Sequence, residues 1–346
     1  MKKSILWVVI IAISLSMVVM FSSLSCKPEE VAETTAAEVT EAETTAAETT
    51  AAETEAPAEK FKITILCANF DDKWMSYMHQ GMEEYAATIP DIADVTLVDA
   101  KNAFETQISQ AENAIAQGVD ALVLVPLNTI EDSPIVDMCI DAGIPLVSVN
   151  RFLKNQDLAN CYVGSDSLVA GELEMGYLAE ISEGKGKVII IQGELDHEAA
   201  INRTLGFENI MESYPEMEEV ARDTCHWMRD ESQVLMENWI QSGIEFDIVA
   251  CNNDEGAIGA ILGMQSQGLD PKPYFIGGID ATPDALDFLN KGFLDCTVFQ
   301  DAYGQGKGGI EAAVNILQGK AVDDIVWIPY ELVTPDDYET YKAKWE

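Results

Sequence analysis

The sequence predicts an α/β protein whose sheets are parallel and carry helices on both faces, and two observations predict it. From residue 61 onward, short runs rich in β-branched residues alternate with longer segments of helical periodicity. Such alternation places crossover helices on the faces of a parallel sheet. The chain has 346 residues and 48% hydrophobic content, enough for a large core or for two lobes, because chains beyond about 250 residues usually divide.

The expected strands are, in order, "FKITIL", "VTLV", "ALVLV", "PLVSV", "KVIII", "DIVAC", "YFIGG" and "CTVFQ". Between the first two, Met75, Met78, Met82, Ala86 and Ile89 fall on one helical face. Between "KVIII" and "DIVAC" the helical residues are Ile201, Leu205 and Ile210, then Val234, Leu235 and Trp239. In open parallel sheets, ligands bind beyond the carboxyl ends of strands, where loops lead into helix N-termini. The residues just after each strand are therefore the ones to inspect.

Planar hydrogen-bonding side chains stand at nearly every such position. Asp71, Asp72 and Trp74 follow the first strand, and Asn150 with Arg151 follows "PLVSV". His197 and, a helical turn on, Arg203 follow "KVIII"; Asn253 and Asp254 follow "DIVAC"; Asp280 follows "YFIGG"; Gln300 and Asp301 follow "CTVF". Asp and Asn are also common helix caps, and Asp71, Asp254 and Asp301 suit that role. Capping does not require Trp and Arg as well. Convergent polar groups with aromatic partners describe a small-molecule cleft.

Their chemistry suits a sugar. Carboxylates accept strongly from hydroxyls, amides and guanidinium groups donate at fixed angles, and indoles cover C–H faces. Asp72, Asn150, Arg203, Asn253, Asp280 and Gln300, with Trp74 and Trp227, supply all of these. The set lacks the basic cluster that a phosphate would want.

Charge excludes other partners. The formal net charge is -40, and beyond residue 59 there remain 50 acids against 17 bases. Such a region is repelled by phosphate backbones and anionic lipid surfaces, so nucleic acid is not an expected partner. Cys67, Cys139, Cys161, Cys225, Cys251 and Cys296 lie far apart, without a CxxC pair or a His at zinc-ligand spacing. Buried, unpaired thiols are expected, with one bridge as the alternative.

The start, "MKKSILWVVIIAISLSMVVMFSSLSC", has the form of an export signal. It resembles a bacterial lipoprotein signal, which implies lipidation of Cys26; Ser23 stands where that family usually has Leu. An uncleaved membrane helix is the alternative. Residues 29 to 59 repeat "ETTAAE", at 33 to 38, 43 to 48 and 48 to 53, a composition expected to form a disordered tether.

"FDDKWM", "VSVN", "YVGSDS", "GELDHEAAINRT", "HW", "NNDEGAIGA", "GIDATPDAL" and "VFQDA" follow one another over about residues 60 to 340. In that order they resemble the type I periplasmic sugar-binding proteins, the ribose- and galactose-binding-protein-like family, and among them the galactose/glucose binder in motif. The resemblance implies two Rossmann-like lobes joined by a three-crossing hinge near Gly164 to Asp166, Asp301, and Pro329 to Tyr330. It divides the chain into a signal peptide (1–25), a lipidated Cys26 with its tether (26–59), an N-terminal lobe (60–164 plus 302–328) and a C-terminal lobe (165–301 plus 329–346). It places Asp72, Trp74, Asn150, His197, Arg203, Trp227, Asn253 and Asp280 at ligand positions. Arg151 beside Asn150 resembles the Asp-Arg pair of ribose-type relatives, and Gln300 stands where the galactose/glucose binder has Asn. That binder has Asp where this chain has Ala199, and its calcium loop has no counterpart here.

The implied function is that of a monomeric, exported lipoprotein, held to a membrane through Cys26. It would bind a monosaccharide, a glucose/galactose-like hexose being favoured over a pentose or an inositol, and deliver it to ABC permease subunits. A chemoreceptor is a further possible partner; no metal or other cofactor is expected. A glycosidase pairing of Asp72 with Asp280 is the enzyme alternative, and the GxGxxG at Gly304, Gly306 and Gly309 is read as close helix packing.

Overall fold

The computed structural model describes residues 59–131 and 133–345. The signal, lipidation and tether assignments lie outside the described residues. The strands are β1 (Phe61–Cys67), β2 (Ala93–Asp99), β3 (Ala121–Leu124), β4 (Leu146–Val149), β5 (Cys161–Gly164), β6 (Lys185–Gln192), β7 (Glu216–Thr224), β8 (Ile248–Cys251), β9 (Phe275–Gly277), β10 (Thr297–Phe299), β11 (Ile325–Trp327) and β12 (Glu331–Val333). The helices are α1 (Lys73–Thr88), α2 (Phe104–Ala116), α3 (Pro134–Ala142), α4 (Ser167–Ile181), α5 (Glu198–Met211), α6 (Arg229–Gln241), α7 (Asp254–Ser266), α8 (Pro283–Asn290), α9 (Ala302–Leu317) and α10 (Tyr338–Lys342).

Two parallel sheets form two lobes. The first has strand order β11-β5-β4-β3-β1-β2, and the second β7-β6-β8-β9. In both, the chain's first strand of the sheet lies between its second and third, so each sheet reverses direction beside β1 or β6. That reversal opens a crevice at the carboxyl end of the sheet.

All eight expected strands form. Sequence reading missed β5, β7, β11 and β12, for physical reasons. β7, "EMEEVARDT", is an edge strand that buries only Met217, and its charges are typical of an exposed edge. β11 and β12 are three residues long and bury only Val333 between them, and β5, "CYVG", is a short run that ends in a glycine. Both main sheets are parallel, as expected, and a separate two-stranded pair adds an antiparallel element. β10 runs antiparallel to β12, while a parallel bridge joins Phe299 to Asp280.

Packing accounts for the glycine motif. A Cβ on Gly306 would strike the Met78 carbonyl of α1, so α9 lies directly on α1, and Gly309 meets Val149 of β4 in the same way. Met75, Met78 and Met82 are buried beneath this contact. The six cysteines of the described residues are all free and buried.

The core of the second lobe holds a carboxyl group. Glu174 on α4 is fully buried; its Oε1 accepts the Cys251 N–H at 2.9 Å, and its Oε2 has no protein partner. Burial raises its pKa well above the carboxylate range, with Asp254 adding to the rise and Arg203 opposing it. The fold therefore keeps a proton that the unfolded chain gives up above about pH 4.3. Stability is greatest below that pH and declines as pH rises toward the folded-state pKa. Glu174→Gln is expected to shrink the fall in Tm between pH 5 and pH 8, read by differential scanning fluorimetry; an unchanged fall would mean that Glu174 is ionised in the native core.

Candidate functional site

Asp72, Trp74, Asn150, Arg151, His197, Arg203, Trp227, Asn253, Asp280 and Gln300 all line one cavity of about 340 Å³ between the lobes. That size lies near the lower end of small-molecule sites, about 300 to 1,000 Å³. The lobes touch beside it: the Glu198 N–H donates to Thr129 Oγ1 at 3.2 Å, and Trp74 Nε1 donates to the Gln300 carbonyl at 3.3 Å.

Several of these side chains cap a helix and line the cavity together. Asp72 Oδ1 accepts the Met75 N–H at 2.8 Å at the start of α1. Asn253 Oδ1 accepts from Gly256 at 2.9 Å and its Nδ2 donates to the Trp227 carbonyl at 3.2 Å, so its amide mainly fixes neighbours. His197 caps α5, with Nδ1 accepting the Ala199 N–H at 3.1 Å. Burial lowers its pKa well below the usual value, with Arg151 and Arg203 adding to the fall. A neutral ring whose Nδ1 accepts must carry its proton on Nε2. Nε2 is buried and has no partner in the protein.

The capping reading also separates the three aspartates. Asp301 does cap α9, accepting from Gly304 at 2.8 Å. Asp71 is exposed. Asp254 is instead a buried crosslink: it accepts from the Thr282 N–H at 2.7 Å, from Thr282 Oγ1 at 3.0 Å and from Thr297 Oγ1 at 2.7 Å. Burial raises its pKa to about 7 against those hydrogen bonds.

Arg203 is the hub of the second lobe. Its guanidinium donates to the Asn252 carbonyl at 2.6 Å, Gln300 Oε1 at 2.9 Å and Tyr330 Oη at 2.8 Å, and Nη1 lies 3.7 Å from Asp280 Oδ1. Burial raises the Asp280 pKa well above its ordinary value, and Arg203 opposes the rise. Arg151 is equally buried but donates to the Pro126 carbonyl at 2.9 Å, and no ion pair to it occurs among the described residues.

Backbone strain concentrates here. Asn150, Trp227 and Asp280 have φ of 68°, 68° and 125°, a region costly for side-chain-bearing residues and often found at ligand sites. Trp227 also needs Gly193, since a Cβ there would enter its indole ring. The ring stands edge-on to His197 with centroids 5.3 Å apart. Trp227 Nε1, Arg151 Nε and Arg203 Nε join His197 Nε2 as buried donors without a protein partner. Four residues that line the cavity thus carry a buried donor without a protein partner, and Asp280 and Asp72 stand among them as acceptors.

Sequence reading missed Gln305, which is buried in α9. It accepts from Asn150 Nδ2 at 3.0 Å and donates to Ser165 Oγ at 2.9 Å. Met228, Arg229 and Glu255 also line the cavity, and their places beside Trp227 and Asn253 were the available signal. Among the described residues no three His, Cys, Asp or Glu side chains form a metal-binding group.

Residues 63–321 match a family model described as the periplasmic binding protein domain. The chain belongs to the periplasmic binding protein family. This binding protein is 42% identical over 282 residues to a putative rhizopine-binding protein of Rhizobium meliloti, covering 80% of this chain and 91% of that one. It is similar to the structure of an ABC transporter solute-binding protein from Bacillus halodurans with bound myo-inositol, at 41% identity and a TM-score of 0.79, covering 84% of this chain and 100% of that one. Identity is 25% over 302 residues with a D-galactose/methyl-galactoside-binding periplasmic protein of Haemophilus influenzae, covering 80% and 90%. These relatives are solute-binding proteins rather than enzymes, which sets the glycosidase alternative aside for this binding protein.

Proposed function

We propose that this protein is the exported substrate-binding component of an ABC-type importer, and that it binds one cyclic polyol of monosaccharide size in its interlobe cleft. An inositol-like ring is the favoured ligand. One observation carries the reading: ten side chains from seven strand ends meet in a single cavity of about 340 Å³, and four of those residues hold a buried donor with no partner in the protein. Asp280 and Asp72 accept from ring hydroxyls; His197 Nε2, Arg151 and Arg203 donate to them; Trp74 and Trp227 cover C–H faces. Asn150, Asn253 and Gln300 orient these groups and complete the wall.

The likeness to a myo-inositol-bound structure at 41% identity supports the inositol class, against 25% with a galactoside binder. A glucose/galactose-like hexose is the second reading, favoured by the motif order. A thermal-shift panel of myo-inositol, D-glucose, D-galactose and D-ribose tests both. Ligand at about 100 times its Kd stabilises by about 2.7 kcal/mol, so the preferred ring raises Tm by several degrees. The largest shift is expected with myo-inositol; no shift from any of the four would reject the reading.

The proposed lobes are 60–164 with 302–328, and 165–301 with 329–346, crossing at Gly164 to Asp166, Asp301, and Pro329 to Tyr330. Pairing of β11 with β5, and of β12 with β10, supports these limits. Ligand binds the closed arrangement better than the open one and so shifts the population toward closure, which the permease then reads. Anchoring by lipidated Cys26 and a monomeric state complete the proposal. Trp227→Ala is expected to raise Kd at least about tenfold, because a stacked indole contributes roughly 1 to 3 kcal/mol; calorimetry returning a Kd within a factor of two would remove Trp227 from the ligand face.

A further inference from the structure

Trp345 belongs to no strand end and does not line the ligand cavity. It is nevertheless the one apolar side chain, among the described residues, that packs against both the core of the six-stranded sheet and the core beneath β8 and β10. Its ring meets Tyr77 of α1 at a centroid distance of 4.5 Å, Phe299 of β10 at 5.9 Å and Tyr303 of α9 at 6.1 Å. Its Nε1 donates to the Ala281 carbonyl at 2.8 Å.

Those contacts join the two acidic walls of the cleft. Tyr77 lies one turn after Trp74 on the helix that Asp72 caps, and Ala281 directly follows Asp280. Asp280 and Ala281 have φ of 125° and 50°, so this turn needs external bonds to hold its shape. The Ala281 N–H is held by Thr297 Oγ1 at 3.0 Å; its carbonyl is held by Trp345. We propose that Trp345 is a positioning residue that couples the seating of the lobes to the Asp280 turn. With the lobes together, the indole is clasped by Tyr77 and fixes Ala281, which keeps the Asp280 carboxylate aimed into the cavity. With Pro283, Leu286 and Tyr338, Trp345 also lines a second cavity of about 240 Å³. The indole is therefore not enclosed on every side, and it can release Tyr77 as the lobes part.

The inference rests on the cyclic-polyol reading for its ligand, and stopped-flow kinetics with myo-inositol test it. Trp345→Phe keeps an aromatic ring and loses the Nε1 donor. It is expected to raise koff at least fivefold while kon stays within twofold and stoichiometry stays at one. A fold merely weakened would lower the stoichiometry without changing koff. Tyr77→Leu attacks the clasp from the other lobe and is expected to raise koff likewise, which keeps the test available should Trp345→Phe not fold. An unchanged koff in the folded variants overturns the proposal. If wild-type protein does not bind myo-inositol, the ligand reading fails by itself. Amide hydrogen exchange at Ala281 and Thr282 in ligand-free protein then decides the coupling: Trp345→Phe speeds it at least fivefold if the clasp holds the turn, and equal exchange overturns it.

Discussion

Asp280→Ala is expected to abolish measurable binding of the preferred polyol by isothermal titration calorimetry, with Kd raised at least about 100-fold. Asp280 is 5% exposed, and the cationic Nη1 of Arg203 lies 3.7 Å away. Its backbone is held by a bond from its own N–H to the Val298 carbonyl at 2.8 Å, which aims the side chain across the cleft despite the strained φ. Removing the carboxylate takes a strong acceptor from the ligand and leaves the Arg203 charge buried without its counter-ion. Breaking a buried pair from one side costs about 3 to 5 kcal/mol, and each 1.4 kcal/mol is a factor of ten in Kd. Asp280→Asn is expected to lose less, because the amide keeps the side chain's shape and one oxygen acceptor for the ligand. A folded Asp280→Ala variant with Kd within tenfold of wild type would exclude Asp280 from the binding face.

Local chemistry explains which parts of this site were legible in the sequence. Asp72, Trp74, Asn150 and Asp280 sit within a few residues of a strand end, and a parallel sheet sends its ligand there, so strand assignment alone found them. The hidden parts depend on partners distant in the chain. Tyr330 could be read as a hinge residue, but its hydroxyl matters because it receives Arg203 from 127 positions away. Gln305 sits within a glycine-rich helix segment that reads as packing, yet it holds Asn150 from 155 positions away. The imidazole of His197 serves two roles at once, because it has two nitrogens: Nδ1 caps α5, and Nε2 is left without a partner in the protein on a residue that lines the cavity. Ligand identity was least legible, because the same donors and acceptors serve a pyranose or an inositol, and only their spacing distinguishes the two rings.

Arg203→Lys is the second large effect expected, although it conserves charge. The guanidinium makes three directed hydrogen bonds at once, to Asn252, Gln300 and Tyr330, and faces Asp280 with the same planar group. It also lies against two aromatic rings, 5.9 Å from the centroid of Trp227 and 5.7 Å from that of Tyr330. An ammonium has no planar fork and is more strongly hydrated, so it cannot satisfy those acceptors from one position. Buried acceptors left unpaired cost roughly 1 to 3 kcal/mol each, and at least two of the three are lost. The expected result is a Kd increase of about 100-fold or more together with a Tm lowered by several degrees in the ligand-free protein. The paired readout matters, because a residue that only touched ligand would change Kd and leave the unliganded Tm alone. A normal ligand-free Tm would mean that the network around Arg203 contributes nothing until ligand arrives, and that closure, rather than the folded second lobe, assembles it.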